Sequence, residues 1–288
     1  MALLVLPGET FAGSARDYLN APIDSWITFA NTGYVRSVTP EDGLDVSSRV
    51  QSNVFSQTFV LTRTMDFGGR TGGLSLVVPY VAMDASIGGT AFSNDGFSDL
   101  GFLFQVNLFG GPALTRQQFA SFVPQTFSSF HFLMNVPTGK YNSSDVLNPS
   151  ANRWTFVPTV NYSYTPDEGR TWLEAYFSAR LFTTNGAFGL NGASTLNQNP
   201  LAQIEGHASR NLTSRLWLSA DAYYNVGGET RIDGMSQDNA ANTLRLGAGF
   251  GFNFRPGGEV IFNYERVVAK PAGQPDSDAF RLKLQQLW

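Results

Sequence analysis

The chain has no cysteine, so disulfide staples and thiolate metal sites are excluded. Charge is scarce: 15% of the 288 residues are Asp, Glu, Lys or Arg, against about 25% in soluble globular domains. No run of about 18 apolar residues occurs, which excludes a transmembrane helix. Mean hydropathy is only -0.12. A net charge of -4 and a pI near 5.2 argue against nucleic acid as a partner. What the chain does have is 24 Phe and 29 Gly, with aromatics at 14%. Membrane β-barrels fit that combination, because half of their strand residues face lipid and half face a polar lumen.

The ending AFRLKLQQLW (279 to 288) supplies the strongest local signal. Phe280, Leu282 and Leu284 alternate with Arg281, Lys283 and Gln285, so a strand here has one apolar and one charged face. Trp288 then ends the chain with a side chain suited to a membrane interface, apolar in its body and polar at its N–H. The stretch resembles the closing strand of bacterial outer-membrane barrels, with Gln286 standing where that pattern has an apolar or tyrosyl residue. In such a barrel this strand pairs with the first and removes both sheet edges.

Twelve strands are expected, at Trp26–Val38, Val50–Met65, Gly73–Ala85, Phe97–Phe109, Gln125–Pro137, Arg153–Tyr164, Thr171–Phe182, Leu201–Arg210, Arg215–Val226, Leu244–Phe254, Glu259–Val268 and Ala279–Trp288. Most have ten to thirteen residues, which suits a tilted membrane strand better than the usual soluble one. Short turns at 66–70, 166–169, 211–214 and 255–258 alternate with longer polar segments at 39–49, 86–96, 138–152, 183–200, 227–243 and 269–278. That alternation predicts periplasmic turns, longer external loops and both chain ends on the periplasmic side. The connection from Gly110 to Pro124 is the exception. Thr115 and Gln118 have capping-box spacing there, and Phe119 and Phe122 follow at i, i+3, so a short helix over 116–122 is expected beneath the barrel.

The segment 1–22 precedes a single barrel domain over 23–288. It begins MALLVLPGET, without a basic n-region, and a native signal peptide is expected to have been removed. Ser14 is placed to cap one helical turn over Ala15–Leu19, which Pro22 ends. Phe11, Tyr18 and Leu19 make the segment too apolar for solvent, so it is expected to fold into or under the lumen and narrow it.

Side-chain parity assigns faces. Leu244, Leu246, Ala248, Phe250, Phe252 and Phe254 alternate with Arg245, Gly247, Gly249, Gly251 and Asn253, while Trp26–Val38 and Val50–Met65 fit either phase. Aromatics collect at strand ends, with Trp154, Tyr224 and Phe280 outside and Tyr164, Phe254 and Trp288 inside. The expected lumen residues are Asp99, His131, Arg153, Glu174, Arg180, Glu205, His207, Arg215, Asp221, Arg245, Glu265, Arg281 and Lys283. Arg153, Arg180, Arg245 and Arg281 fall near the outer end, where a positive collar would favour anions. Asp99 and Glu265 are placed to neutralise two of them instead.

Other motifs carry no chemistry. No helix pattern follows Gly247-Ala248-Gly249-Phe250-Gly251, Gly139-Lys140 lacks the residues of a phosphate loop, and SNDG (93–96), NSSD (142–145) and SQDN (236–239) lack EF-hand spacing. No cofactor, metal ion or catalytic residue is therefore expected. Ser129 and His131 share a face at i, i+2, which keeps a hydrolase as an alternative, but no orienting partner or oxyanion site is visible.

Three segments resemble the outer-membrane family of the meta-pathway of phenol degradation. They are ARDYLNAPIDSW (15–26), GFSDLGFLFQVNLF (96–109) and FHFLMNVPTGKYN (130–142). The resemblance implies an all-β transmembrane antiparallel barrel of the Gram-negative outer membrane. It also implies facilitated diffusion of small, often aromatic or apolar compounds or their carboxylates, with no catalytic residues to transfer. Partners on this reading are outer-membrane lipid and lipopolysaccharide, the barrel assembly machinery through the C-terminal strand, and a small-molecule solute. A structural barrel with a sealed lumen is the other alternative. On this parity Phe250→Arg should cost about 2–4 kcal/mol at mid-membrane, and Gly249→Ser should be tolerated.

Overall fold

The computed structural model describes residues 13–39 and 50–288. The first twelve residues of the expected plug and most of the 39–49 connection lie outside them. Among the described residues the strands are, in chain order, β1 Trp26–Val38, β2 Val50–Asp66, β3 Thr71–Ile87, β4 Thr90–Phe97, β5 Leu100–Phe109, β6 Phe127–Val136, β7 Thr155–Tyr164, β8 Thr171–Phe182, β9 Asn185–Phe188, β10 Ser194–Gln198, β11 Leu201–Asn211, β12 Leu216–Gly227, β13 Thr230–Ile232, β14 Met235–Ser236, β15 Ala241–Arg255, β16 Gly258–Ala269 and β17 Asp276–Leu287. The α-helix among the described residues, α1, is Arg116–Phe119.

The wall is a closed antiparallel barrel. β1 pairs with β2 on one side and with β17 on the other, from Ile27 opposite Leu287 to Val38 opposite Asp276. Closure leaves no edge of the wall unpaired in hydrocarbon, where an unpaired N–H or C=O has no water to turn to. β4 and β5 are halves of one interrupted wall strand, since both pair with β3, so the wall has twelve strands. Pro79 accounts for the interruption. It has no N–H to give to that side of the ladder, and its carbonyl accepts the Ser98 N–H at 2.9 Å where the strand breaks.

The segment 86–96, expected as a loop, instead continues the hairpin. β3 and β4 turn over Gly88 and Gly89, whose φ of 55° and 82° suit a two-residue hairpin turn. Its polar composition misleads because β4 pairs with β3 alone and faces water on its free side. The segments 183–200 and 227–243 are likewise more than loops. They contribute β9, β10, β13 and β14, a separate four-stranded sheet. Thr195 donates its N–H to Asp233 Oδ1 at 2.8 Å, which holds that carboxyl below its usual range and ties the two connections together. The expected helix is shorter than 116–122. Its capping box forms, but Ser121 and Phe122 bond i to i−3, so the chain tightens past Phe119 before Pro124.

Burial fixes the faces. Phe59, Leu74, Phe102, Phe177, Leu218, Phe250 and Leu282 are exposed on the outside, a band that a water-soluble domain would not present. β1 and β2, ambiguous in sequence, turn Ile27, Val54, Thr58, Thr62 and Thr64 inward. Exposed Trp26, Tyr164, Phe254 and Trp288 ring the short-turn end. Trp288 donates its indole N–H to Thr28 Oγ1 at 3.0 Å, and Gln286 accepts from Arg255 Nε at 2.6 Å, beyond the apolar run of β17. A polar residue is therefore at ease there.

The inward glycines of β15 are not an open furrow. A Cβ on Gly251 would lie 2.2 Å from the Trp217 indole. One on Gly249 would lie 2.2 Å from Asn263 Nδ2 and 2.9 Å from the Phe262 carbonyl. The expected tolerance of Gly249→Ser is thus overturned, because neighbouring side chains already lie across the strand. Phe250→Arg still tests the outer face at about 2–4 kcal/mol. The matched inner substitution is Asn31→Asp, half-buried opposite Lys283. Urea unfolding from liposomes should show a large loss for the first and little change for the second.

Candidate functional site

The candidate site is the lumen. Residues 13–25 run through it from the end where the short turns lie. Ser14–Asp17 forms a tight turn, with the Asp17 N–H on Ser14 O at 3.2 Å and the Ser14 N–H on Asp17 Oδ2 at 2.7 Å. It is not the expected helical turn, because Arg16 stands at φ 69°.

Two buried carboxylates seat the backbone of this leader. Glu205 on β11 accepts the Gly13 N–H at 2.8 Å, and Glu174 on β8 accepts the Arg16 N–H at 2.8 Å. The Gly13 carbonyl accepts from Tyr223 OH at 3.2 Å and Arg281 Nη1 at 3.4 Å. Arg16 donates to Ser209 and Asn211 and lies over the Trp217 ring at 4.9 Å. Ala15, fully buried, packs with Trp217 and Ile261. The Tyr18 ring lies against His131, tilted by 32° with centroids 3.9 Å apart, and Lys283 forms an ion pair with Asp17. Lower down, Asn20 and Ile23 bond to Pro112 and Leu114 of the connection that carries α1, and Pro22 O accepts from Thr64. That connection pins the exit of the leader.

Of the residues expected to face the lumen, Asp99, His131, Arg153, Glu174, Arg180, Glu205, His207, Asp221, Arg245 and Glu265 are buried. Arg281 and Lys283 are half-buried and reach the leader. Arg215 is a correction: it is exposed in the turn before β12, because the wall begins only at Leu216. Asp99 and Arg153 belong to the long-loop end. Asp99 accepts from Gly139 N, Ser150 Oγ and Ala151 N, fastening the 137–154 connection onto the break between β4 and β5. From that connection Leu147 packs on Val54, Val81, Met83 and Ala85 inside the mouth. Arg153 lies over Phe182 at 4.4 Å and donates to Gln198.

Two of the four arginines expected to form a collar are compensated by a carboxylate, while the hydrogen bonds of Asp99 go to Gly139, Ser150 and Ala151. Glu265 lies 3.4 Å from Arg245 and 3.3 Å from Arg281, the cross-strand neutralisation that β15–β17 pairing makes available. His207 lies between Asp221 at 2.7 Å and Glu205 at 3.3 Å. Charge is confined to one side of the wall. β1, β2 and β3 turn only uncharged side chains inward, chiefly Ser, Thr, Val and Met, whereas β8, β11, β12, β15, β16 and β17 carry the ions. Sequence parity found the ions. It missed the leader's role as their partner, for which the only signal was an apolar, proline-bounded segment.

Ser129 and His131 meet at 2.7 Å, but the hydroxyl is also bonded to Asn161. His131 Nδ1 has no partner among the described residues, where a hydrolytic pair needs an orienting group.

The family model described as "Putative MetA-pathway of phenol degradation" matches residues 31–280. The chain belongs to that family. Among solved structures, the COG4313 outer membrane channel from Pseudomonas putida F1 is similar at 18% identity and TM-score 0.82, covering 96% of this chain and all of that one. The β domain of the Bordetella autotransporter BrkA is similar at 13% identity and TM-score 0.58, over 92% of this chain and all of that one. The AIDA-I transport unit from Escherichia coli gives 11% identity and TM-score 0.57, over 98% and 95%. No curated protein sequence matches. The twelve-stranded barrel and its lipid-facing band place this family member in the bacterial outer membrane.

If Glu174 and Glu205 hold the leader, their removal should free it. Trypsin should leave the Arg16–Asp17 bond intact in the parent protein and cut it in Glu174→Ala/Glu205→Ala. Mass spectrometry of the reconstituted barrel reads the loss of the first sixteen residues.

Proposed function

We propose that this protein is a channel for facilitated diffusion of small amphipathic solutes, aromatic or apolar compounds and their carboxylates, with the leader narrowing the lumen. The observation that carries the reading is the two-sided lumen, uncharged along β1–β3 and ionic along β8–β17. A solute with an apolar body and one polar end meets aliphatic groups on the first side and ions on the second, whereas an inorganic ion matches only the second. Twelve strands also suit a narrow passage, since about eight leave an interior filled by side chains and sixteen leave an open aqueous channel.

The ions of the wall are largely paired, so the channel should discriminate by shape and apolarity more than by charge. The C-terminal strand, ending on Trp288, is the segment we assign to recognition by the barrel assembly machinery. A sealed barrel is the second reading, favoured by the density of bonds between the leader and the wall.

Planar bilayer recording separates the two. Deleting residues 1–22 should raise single-channel conductance and leave the barrel resistant to heat, with a reversal potential near zero in a KCl gradient. A deleted form that conducts no better than the parent contradicts leader control, and one that does not conduct at all contradicts the channel.

A further inference from the structure

The seat of the leader has the chemistry of a solute site. Tyr223 OH and Arg281 Nη1 both converge on a single oxygen, the carbonyl of Gly13. Both Arg245 and Arg281 lie over the Tyr223 ring, at 5.4 and 5.7 Å. Close by on the same wall, Arg245 Nε and Asn263 Nδ2 are buried donors with no acceptor among the described residues. Asn263 stands directly opposite Arg281 in the β16–β17 ladder. Glu265 takes part of this donor set, 3.4 Å from Arg245 and 3.3 Å from Arg281, and Arg281 Nη2 also donates to Tyr223 OH at 3.3 Å, which leaves Arg245 Nε and Asn263 Nδ2 as the surplus.

An apolar recess adjoins it. Ala15 fills the space between Trp217 and Ile261, all three almost wholly buried. Ile261 is two residues from Asn263 on one face of β16, so the recess lies about 7 Å along the wall from the donors. An arylalkanoate with two methylenes between ring and carboxylate, such as 3-phenylpropanoate, comes close to that span, whereas benzoate, with its carboxylate directly on the ring, is too short.

We propose that this seat is a binding site for small apolar monocarboxylates, of about the size of 3-phenylpropanoate, and that the leader occupies it in their absence. The carboxylate takes the place of the Gly13 carbonyl on Arg281 and Tyr223, and the ring takes the place of Ala15 between Trp217 and Ile261. Hydrogen bonds between charged partners are roughly twice as strong as those of a neutral amide. The leader holds the site because it is tethered, which gives it an effective concentration of about millimolar or more. A solute at comparable concentration competes, and the leader that it displaces no longer fills the lumen. The inference deepens the channel reading and rests on it for the consequence of displacement, though not for binding itself.

The chain has no cysteine, so Ser14→Cys introduces a single, nearly isosteric thiol into the buried leader. In proteoliposomes its modification by a charged methanethiosulfonate reagent should be slow. 3-Phenylpropanoate should accelerate it by about tenfold, as expected for a modest coupling between two occupants. 3-Phenylpropanol, of the same shape without the charge, should not. Arg281→Gln and, separately, Tyr223→Phe in the Ser14→Cys background should blunt the response to 3-phenylpropanoate while the barrels stay heat-resistant. Gly13→Ala should give fast modification without any solute, because its Cβ would lie 2.9 Å from Glu205 Oε2 and 3.1 Å from the Tyr176 ring. Equal acceleration by 3-phenylpropanol, no acceleration by 3-phenylpropanoate, or an undiminished response in both variants would overturn the proposal. Acceleration without any rise in conductance would uphold the site and contradict the channel.

Discussion

Hydrocarbon offers no hydrogen bonds, and the whole structure follows from how the backbone is satisfied there. Pairing β1 with β17 leaves no edge of the wall open to lipid, and the twofold period of the strands then separates an apolar outside from an inside free to carry polar groups. The inside inherits a problem of its own. Glu174, Glu205, Asp221, Glu265 and His207 are buried away from bulk water, where an unpaired charge is costly. The leader answers part of that need by bringing backbone N–H groups to two of the carboxylates, and Arg245 and Arg281 answer another part at Glu265. Leader and wall are therefore one hydrogen-bonded unit.

The division of the lumen matters more for function than any single residue. The first three strands contribute hydroxyls and aliphatic groups, and the later strands contribute the ions. At the outer mouth the same division recurs, where Leu147 packs on the apolar inner face of β2 and β3 while Asp99 ties its connection down. The space keeps an uncharged surface of hydroxyls and aliphatic groups along one side from mouth to leader.

Much of the wall was legible in sequence because membrane strands announce themselves by alternation. β1 and β8 have the expected ends, and β15 shows its faces plainly. The errors have physical causes. β4 is polar because it stands beside water, so composition disguised it as a loop. Arg215 follows the inward parity of β12 but precedes its first wall residue. Gly249 looked like spare volume because a sequence does not show that Asn263 crosses from the next strand. Long-range contacts of this kind, and above all the bonds from Gly13 and Arg16 to residues more than 150 positions away, leave no local pattern to read.

The central claim is that the leader is seated in the lumen by its own backbone. Amide hydrogen exchange of the protein in lipid nanodiscs tests it most directly. The amides of Gly13 and Arg16 should be protected to a degree comparable with the inward strands that they touch, and Glu205→Ala should release the first while sparing the β11 ladder. Exchange of both amides at the rate of a free peptide in the intact protein would contradict the account.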